Sequence, residues 1–509
     1  MHFFYVWGGE TNKGSDIVSM ISIKNLTFAY DGSYDNIFEN LSLNIDTDWK
    51  LGLTGRNGRG KTTFLKLLCG ELDSRNAVAA SVNFCYFPFP VSNEDDLTID
   101  VLRQVSGAED WRIIKEAFKL LIDEQMIYTP FSYLSKGQQT RALLSAMFLT
   151  DNAFLLIDEP TNHLDADARR VTAEYLNGKR GFILVSHDRD FLDACTDHTL
   201  SINRSGVEII KGGISVYLEN KKRREIEEQR TDEKLKKDIE RLNAAAKRQS
   251  DWSDRVEKTK YGSKNSGLRV DRGYVGHKSA KMMKRAKAIE QRQLNAAEQK
   301  KALLKDVETA DQLFVEALPC VKSRLIELLD LSLYYDGKKV CGPLRLSVDE
   351  GDRIAVTGKN GSGKTTLLRL ICGENIEYDG GFYLGGRLKI ACLPQDSSRL
   401  SGSLADYAAA EDVDITRYFT LLRKLGFERT HLEKNLEDLS EGQRKKAALA
   451  RCLCSRANLY VFDEPLNYID LISREQVENM IAGSRATMLF VEHDGAFCRR
   501  VATKSIKIE

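Results

Sequence analysis

Gly55–Thr62 reads GRNGRGKT, and Gly358–Thr365 reads GKNGSGKT. Each stretch is a glycine, four residues, then Gly-Lys-Thr. The glycines let the backbone turn its N–H groups toward phosphate oxygens. The lysine reaches the β- and γ-phosphates, and the threonine hydroxyl ligates Mg²⁺. In the first loop the grip falls to Gly55, Asn57, Gly58, Gly60, Lys61, Thr62 and Thr63. In the second it falls to Gly358, Asn360, Gly361, Gly363, Lys364, Thr365 and Thr366. A single match could arise by chance. Two, each followed by the same further motifs in the same order, mark two nucleotide sites.

The repeat extends well beyond the loops. Tyr30 recurs as Tyr335, Ser135 as Ser440 and Glu159 as Glu464, each 305 residues on; His187 recurs as His493 after 306, and Lys61 as Lys364 after 303. Two homologous domains are therefore expected, over 20–218 and 320–509. Short apolar strands alternate with helical stretches in both, which predicts an α/β fold with a largely parallel sheet. Phe154–Ile157 and Leu459–Phe462 are the clearest buried strands, and each delivers a carboxylate at its C-terminal end, where open α/β sheets bind ligands.

A chain of 509 residues is too long for one core. Its apolar fraction of 42% suffices for globular folding, and no apolar run approaches the roughly 18 residues of a membrane span. The aromatic start MHFFYVWGGE lacks a basic leader and a cleavage pattern, so it makes a poor signal peptide. Met20 offers a second start, which would make residues 1–19 a dispensable extension. The ten cysteines are scattered with no CxxC pair, and they read as small buried residues of a reducing cytosol, neither disulfides nor metal ligands.

Asp158 follows its strand and suits a Mg²⁺ ligand; Glu159 comes next, placed to polarise an attacking water. His187, in VSHD after the apolar run 181–186, can hydrogen-bond a γ-phosphate. Asp463, Glu464 and His493 repeat the layout. Phosphoryl transfer needs the phosphate clamped, its charge neutralised and the water in line, and these residue types supply those parts. Alone, an acidic turn or a surface histidine would read as ordinary; the order after a phosphate loop decides otherwise. Ser135, Gly137 and Gln138 in LSKGQ, and Ser440, Gly442 and Gln443 in LSEGQ, open helices whose free N–H groups and dipole favour an anion.

Phosphate loop, LSxGQ, strand-Asp-Glu and switch histidine together resemble the ATP-binding-cassette superfamily across both domains. The resemblance implies a head-to-tail sandwich with two ATP and Mg²⁺. Lys61, Asp158, Glu159 and His187 would work with Ser440 and Gly442, and Lys364, Asp463, Glu464 and His493 with Ser135 and Gly137. Tyr30 and Tyr335 match the family's adenine-stacking aromatic; the other reading is a strand aromatic in the core. Gln395 fits the glutamine that senses Mg²⁺ and water. Phe89 stands at the aligned position of the first domain, and a phenyl ring cannot ligate metal, so the first site is expected to hydrolyse ATP more slowly.

Between the domains, residues 219–319 differ in kind. No proline occurs between Pro160 and Pro319, and 219–250 and 276–310 are rich in helix formers. Glycines break the stretch 252–276, which predicts a helical hairpin with an irregular tip. Over 241–301 there are 17 lysines and arginines against 6 acidic residues, a net of +11 in a chain whose total is +1. Lys258, Lys260, Lys264, Arg269, Arg272, Lys278, Lys281, Lys284 and Arg285 are interleaved with Trp252, Tyr261 and Tyr274. Cations for phosphates and aromatics for unpaired bases suit structured RNA; a solvated charged hairpin is the plainer reading.

Two cassettes joined by a basic helical linker, without membrane segments, resemble the ABC-F family. That implies a cytoplasmic monomer that pairs its own two domains, binds the ribosome near the tRNA exit site, and reaches with its linker toward the peptidyl-transferase centre, where rRNA and P-site tRNA are the expected contacts. Neither DNA nor a membrane subunit is an expected partner. The context Trp49–Leu53 before the first loop and the linker stretch Asp271–Arg285 resemble the Lsa-type branch, which protects ribosomes from lincosamides, pleuromutilins and streptogramin A drugs. The phosphate-loop lysine precedes the signature serine by 74 residues in the first domain and 76 in the second, leaving no room for the extra arm of some housekeeping members; the short C-terminus likewise suits a resistance factor. Rival readings are a housekeeping factor that relieves stalled ribosomes, and a tandem ATPase subunit of a transporter. A DNA-repair ATPase is weaker, lacking zinc-type cysteines or a far longer coiled coil.

Overall fold

The computed structural model describes residues 20–30, 36–73, 77–162, 164–203, 206–224, 315–320, 323–335, 337–395, 400–411 and 413–508, with isolated residues between. The chain divides into two compact units: Met1–Ser215 with Gln312–Glu509, and Val216–Asp311. In the second unit, residues 216–224 are helical, and so are the described positions Lys281 and Lys284, both exposed. Lys258, Lys260, Lys264, Arg269, Arg272, Lys278, Arg285, Trp252, Tyr261 and Tyr274 lie outside the described residues, as does the extension 1–19.

The first unit holds both cassettes. In cassette one, β1 (Met20–Phe28), β2 (Phe38–Asp46) and β4 (Val78–Ala79) form a small antiparallel sheet. Its larger sheet runs β5 (Asn83–Phe87), β6 (Ala153–Asp158), β7 (Phe182–Val185), β3 (Lys50–Gly55), β8 (His198–Asn203), β9 (Gly206–Lys211). All neighbours there are parallel except β8 and β9. Cassette two repeats the plan. β10 (Arg324–Tyr335), β11 (Lys338–Asp349) and β13 (Glu377–Leu384) form the antiparallel sheet. The parallel one runs β14 (Ile390–Leu393), β15 (Leu459–Asp463), β16 (Thr487–Val491), β12 (Arg353–Gly358), β17 (Lys504–Ile508).

The central strands are apolar on both faces because helices cover both. Every residue of β7 and β16 is buried. Phe154, Leu156, Ile183 and Val185 pack under α1 (Lys61–Cys69) through Phe64, Leu65 and Leu68. Each such side chain contributes roughly 1.5–3 kcal/mol by leaving water. Leu459, Val461 and Leu489 do the same under α8 (Lys364–Ile371). The strands therefore hold the phosphate loop, which links β3 to α1 and β12 to α8, and the carboxylate pair at the ends of β6 and β15 within one rigid layer.

The remaining helices of cassette one are α2 (Thr98–Ser106), α3 (Asp110–Phe118), α4 (Glu124–Ile127), α5 (Lys136–Met147), α6 (Ala166–Asn177) and α7 (Arg189–Cys195). Those of cassette two are α9 (Leu404–Ala409), α10 (Ile415–Lys424), α11 (Arg429–Leu432), α12 (Glu441–Cys454), α13 (Leu471–Ala482) and α14 (Gly495–Val501). No helix among the described residues is long and apolar enough to cross a membrane.

One expectation fails. Cys372 and Cys392 form a disulfide, although the cysteines read as unpaired. They stand 20 residues apart in sequence. Cys372 caps α8 and Cys392 lies in β14, and the layered packing of helix on sheet brings them together. Only tertiary structure creates that proximity.

The cassettes meet through charge. Glu478 on α13 is buried and receives Arg189 of cassette one, with N···O separations of 3.0 and 3.3 Å, as well as Arg500 of its own cassette at 3.0 Å. Arg499 on α14 grips both oxygens of Asp190 at 2.8 and 3.0 Å. Removing one partner of a buried pair strands the other's charge. Glu478→Ala is expected to cost about 3 kcal/mol of stability, measured by urea denaturation; a loss below about 0.5 kcal/mol, the level of an idle surface change, would show that this contact does not hold the cassettes.

Candidate nucleotide sites

Each phosphate loop ends in a helix whose N-terminus carries no side-chain cap. Gly60 and Gly363 occupy those cap positions with φ of 86° and 88°. A Cβ on Gly363 would lie 2.9 Å from Val340 and 3.0 Å from Cys341, so only glycine fits both the left-handed backbone and the space. The leading N–H groups of α1 and α8 are thus open to an anion.

In site one, Lys61 donates to the carbonyls of Gly55 (2.8 Å) and Arg56 (3.3 Å) and to Asn57 Oδ1 (3.1 Å). In site two, Lys364 donates to Gly358 (2.8 Å) and Lys359 (2.7 Å). Both lysines are buried. Burial pushes the pKa of each down; Asp470 and Glu159 oppose this at Lys61, and Glu464 and Asp165 at Lys364.

Thr62 donates to Asp158 Oδ2 at 2.8 Å, and Thr365 hydrogen-bonds Asp463. Oxygen Oδ1 of Asp463 is buried without a hydrogen-bond partner, an acceptor suited to a hydrated cation. ATP with Mg²⁺ fits this combination of open helix N-termini, buried lysines and hydroxyl–carboxylate pairs.

Glu159 and Glu464 follow their strands with φ of 51° and 48°. Their N–H groups donate to Val185 and Val491 at 2.9 and 3.0 Å. This left-handed turn, strained for a non-glycine residue, aims both carboxylates at the switch histidines. His187 Nε2 stands 3.1 Å from Glu159, and His493 Nε2 3.6 Å from Glu464.

The two glutamates differ in charge state. Burial, with Asp158 beside it, raises Glu159 from 4.5 to about 8, against the pull of Lys61 and Arg474. His187 is held well below the ordinary histidine range by burial and by Lys61, so it is neutral near pH 7. Burial would raise Glu464 too, but His493, Gln395 and Lys445 outweigh it and the carboxyl lies below its ordinary value. Gln395 Nε2 donates to Glu464 Oε2 at 3.2 Å, and Asn467 Nδ2 to the same oxygen at 2.6 Å.

At the aligned position of site one, Phe89 is exposed. A different group, the Tyr86 hydroxyl, donates to Asp158 Oδ2 at 3.0 Å. Ser135 and Ser440 cap α5 and α12, each in a reciprocal box with Gln138 or Gln443. Tyr30 and Tyr335 are exposed, which removes the core reading; the Tyr30 hydroxyl meets Thr63 Oγ1 at 3.0 Å.

The segment after each Asp-Glu pair crosses to the opposite cassette. Asn57 donates to the Tyr468 carbonyl at 2.8 Å. Asp470 acts on Lys61, and Asp165 on Lys364. Sequence reading missed the arginines that hold these segments. Arg169 bonds Asp188 (3.0 Å) and the carbonyls of Leu164 (3.0 Å) and Thr161 (3.2 Å). Arg474 bonds Asp494 (3.0 Å) and the carbonyls of Ile469 (2.9 Å) and Leu466 (2.8 Å). The repeat itself held the signal: Arg169 and Arg474 share the 305-residue offset of the site residues.

The ABC transporter family pattern matches residues 38–162 and 341–467. Ribosome protection protein VmlR of Bacillus subtilis is 25% identical over 494 residues, 96% of this chain and 86% of that protein. ATP-binding protein Uup of Caulobacter vibrioides is 28% identical over an alignment 512 positions long, which covers 96% of this chain and 77% of that protein. Among solved structures, the archaeal ribosome recycling factor aABCE1, in complex with a ribosomal stalk protein, superposes with a TM-score of 0.63 at 18% identity, over 95% of this chain and 87% of that one. With two phosphate loops, two strand-end carboxylate pairs and two matches to one family pattern, the protein contains tandem ATP-binding-cassette ATPase domains and hydrolyses ATP.

Proposed function

We propose that this ATPase acts on the ribosome as an ABC-F protein, and that it protects ribosomes from lincosamides, pleuromutilins and streptogramin A drugs in the manner of the Lsa-type branch. One observation carries the reading: the segment between the cassettes, 241–301, concentrates a net charge of +11 and interleaved aromatics, leaving the remainder of the chain near −10. A polyanion is the partner such a segment recognises. The likeness to VmlR along 96% of this chain supports the same partner. The organisation is 1–19 extension, 20–218 and 320–509 cassettes, and 219–319 basic linker in a cytoplasmic monomer.

In this reading bound ATP supplies the bond to be cleaved, and Mg²⁺ neutralises its phosphates. Lys61 and Lys364 release their loop carbonyls to grip the phosphates. Thr62 with Asp158 holds the metal in site one, and Thr365, Asp463 and Gln395 hold it in site two. Glu159 and Glu464 accept a proton from the attacking water, and His187 and His493 bind the terminal phosphate. Ser440, Gly442 and Gln443 close on site one, Ser135, Gly137 and Gln138 on site two, and Tyr30 and Tyr335 stack on adenine. Closure of the cassettes fixes the linker in its RNA-binding pose, and hydrolysis releases it.

The runner-up is a housekeeping factor with the same cycle and no drug. Growth of a drug-sensitive host on lincomycin or tiamulin separates the two: protection supports the resistance role, and its absence the housekeeping one. The Glu159→Gln, Glu464→Gln double variant is expected to sediment with ribosomes in ATP; recovery only in the unbound gradient fractions refutes ribosome action. Of the single changes, Glu464→Gln is expected to cost more turnover, because Phe89 leaves site one without a metal-side glutamine.

The activity remaining in Glu464→Gln should also rise from about pH 7 to about pH 9 as Glu159 ionises, while that in Glu159→Gln stays flat. The same raised carboxyl gives a stability contribution present below the ordinary carboxylate pKa and lost as pH climbs toward about 8. A flat profile for both variants would contradict the assignment.

A further inference from the structure

Lys445 lies on α12, one turn past the LSEGQ start, and is almost fully buried. Its ammonium has three N–H bonds and meets three carbonyl oxygens: Pro394 at 2.7 Å, Asp463 at 3.0 Å and Gln395 at 3.1 Å. The donor capacity of a charged lysine is thereby filled. Two of the three acceptors are the backbones of residues assigned to Mg²⁺ in site two. The lysine takes backbone oxygens alone and leaves the carboxylate of Asp463 and the amide oxygen of Gln395 untouched.

The charge is answered locally. Burial lowers the lysine's pKa, and the carboxylates of Asp463, Glu464 and Glu492 oppose that. Glu492 is itself buried, next to His493 in the segment that follows β16. The repeat makes the pair informative. Thr140 stands in cassette one where Lys445 stands in cassette two, and Ser186 where Glu492 stands. Both charges are present in one cassette, and both are replaced by neutral hydroxyl residues in the other. The cassette with the charges is also the one with Gln395; the cassette without them has Phe89.

We propose that Lys445 is a positioning residue that fixes the Gln395 and Asp463 backbones, so that site two presents both side chains to Mg²⁺. This rests on the assignment of those two residues to the metal. A buried ammonium bridging a loop to a strand end acts as a cross-link without covalent bonds. Lys445 touches no reacting atom, and its effect passes through the two residues it holds.

The test uses the full chain in the Glu159→Gln background, where turnover reports site two. Lys445→Met keeps the stem and removes the donors. It is expected to raise the Mg²⁺ concentration for half-maximal ATPase by about 10-fold, as loss of an outer support for metal ligands does, with KM for ATP unchanged at saturating Mg²⁺. Without nucleotide, amide exchange over 392–395 should accelerate while that over 358–365 holds. Lys445→Gln, which retains two N–H donors, should fall between; it also serves if the methionine variant does not fold. Gln395→Ala is the reference. If it shifts the Mg²⁺ dependence and both Lys445 variants leave that dependence and the local exchange unaltered, the proposal is overturned. If Gln395→Ala shifts nothing, the metal assignment has failed instead, and the positioning role falls with it.

Discussion

A buried ammonium needs carboxylates close by, and the two phosphate-loop lysines set that requirement at the centre of the molecule. Lys61 receives Glu159 and Asp158 from its own cassette and Asp470 from the other. Asp470 is buried against Lys446 at 3.1 Å and is held well below the usual carboxylate range by Lys446 and Lys61 despite its burial. Lys364 receives Asp165 from the opposite cassette in the same manner. Desolvation makes each of these charges costly alone, and each site draws part of its counter-charge from the opposite domain. The cassettes are coupled because each lends the other a counter-charge.

What could be read in the sequence follows from the range of the interactions. The loops at Gly55–Thr62 and Gly358–Thr365, the strands ending in Asp158 and Asp463, and the serine caps at 135 and 440 are local patterns in which side chain and backbone act within a few residues. Those could be placed on their elements beforehand. The repeat offset then supplied the tandem architecture. Residues acting across tens of positions escaped. Lys445 reaches back 50 residues to Gln395, and a lysine on a helix has no sequence mark of burial. Arg169 and Arg474 look like surface charge until the strand order brings Asp188 and Asp494 beside them. The disulfide Cys372–Cys392 escaped for the same reason.

The duplication also separates what the reaction requires from what each site has added. Both cassettes keep the strained glutamate, the switch histidine, the threonine on the aspartate, and the arginine clamped to the crossing segment. They diverge on the metal side. Site two has Gln395 on Glu464 and Lys445 beneath it; site one has Phe89 and the Tyr86 hydroxyl on Asp158. A phenol donates to the aspartate but offers no amide to a metal-bound water.

Backbone strain bears on how that divergence is to be understood. A glutamate held in the left-handed region costs of order 1–3 kcal/mol. Glu159 and Glu464 both retain it, with φ of 51° and 48° and the same N–H bond to the neighbouring strand. Site one therefore carries that conformational cost at the residue proposed to polarise the attacking water, although Phe89 stands where site two has Gln395. Under the proposed function, that combination fits a slower site more than one that only binds nucleotide. Under the proposed function, unequal rates would give ATP hydrolysis an order, site two before site one, and such an order would suit a cycle of closing on and leaving a large partner.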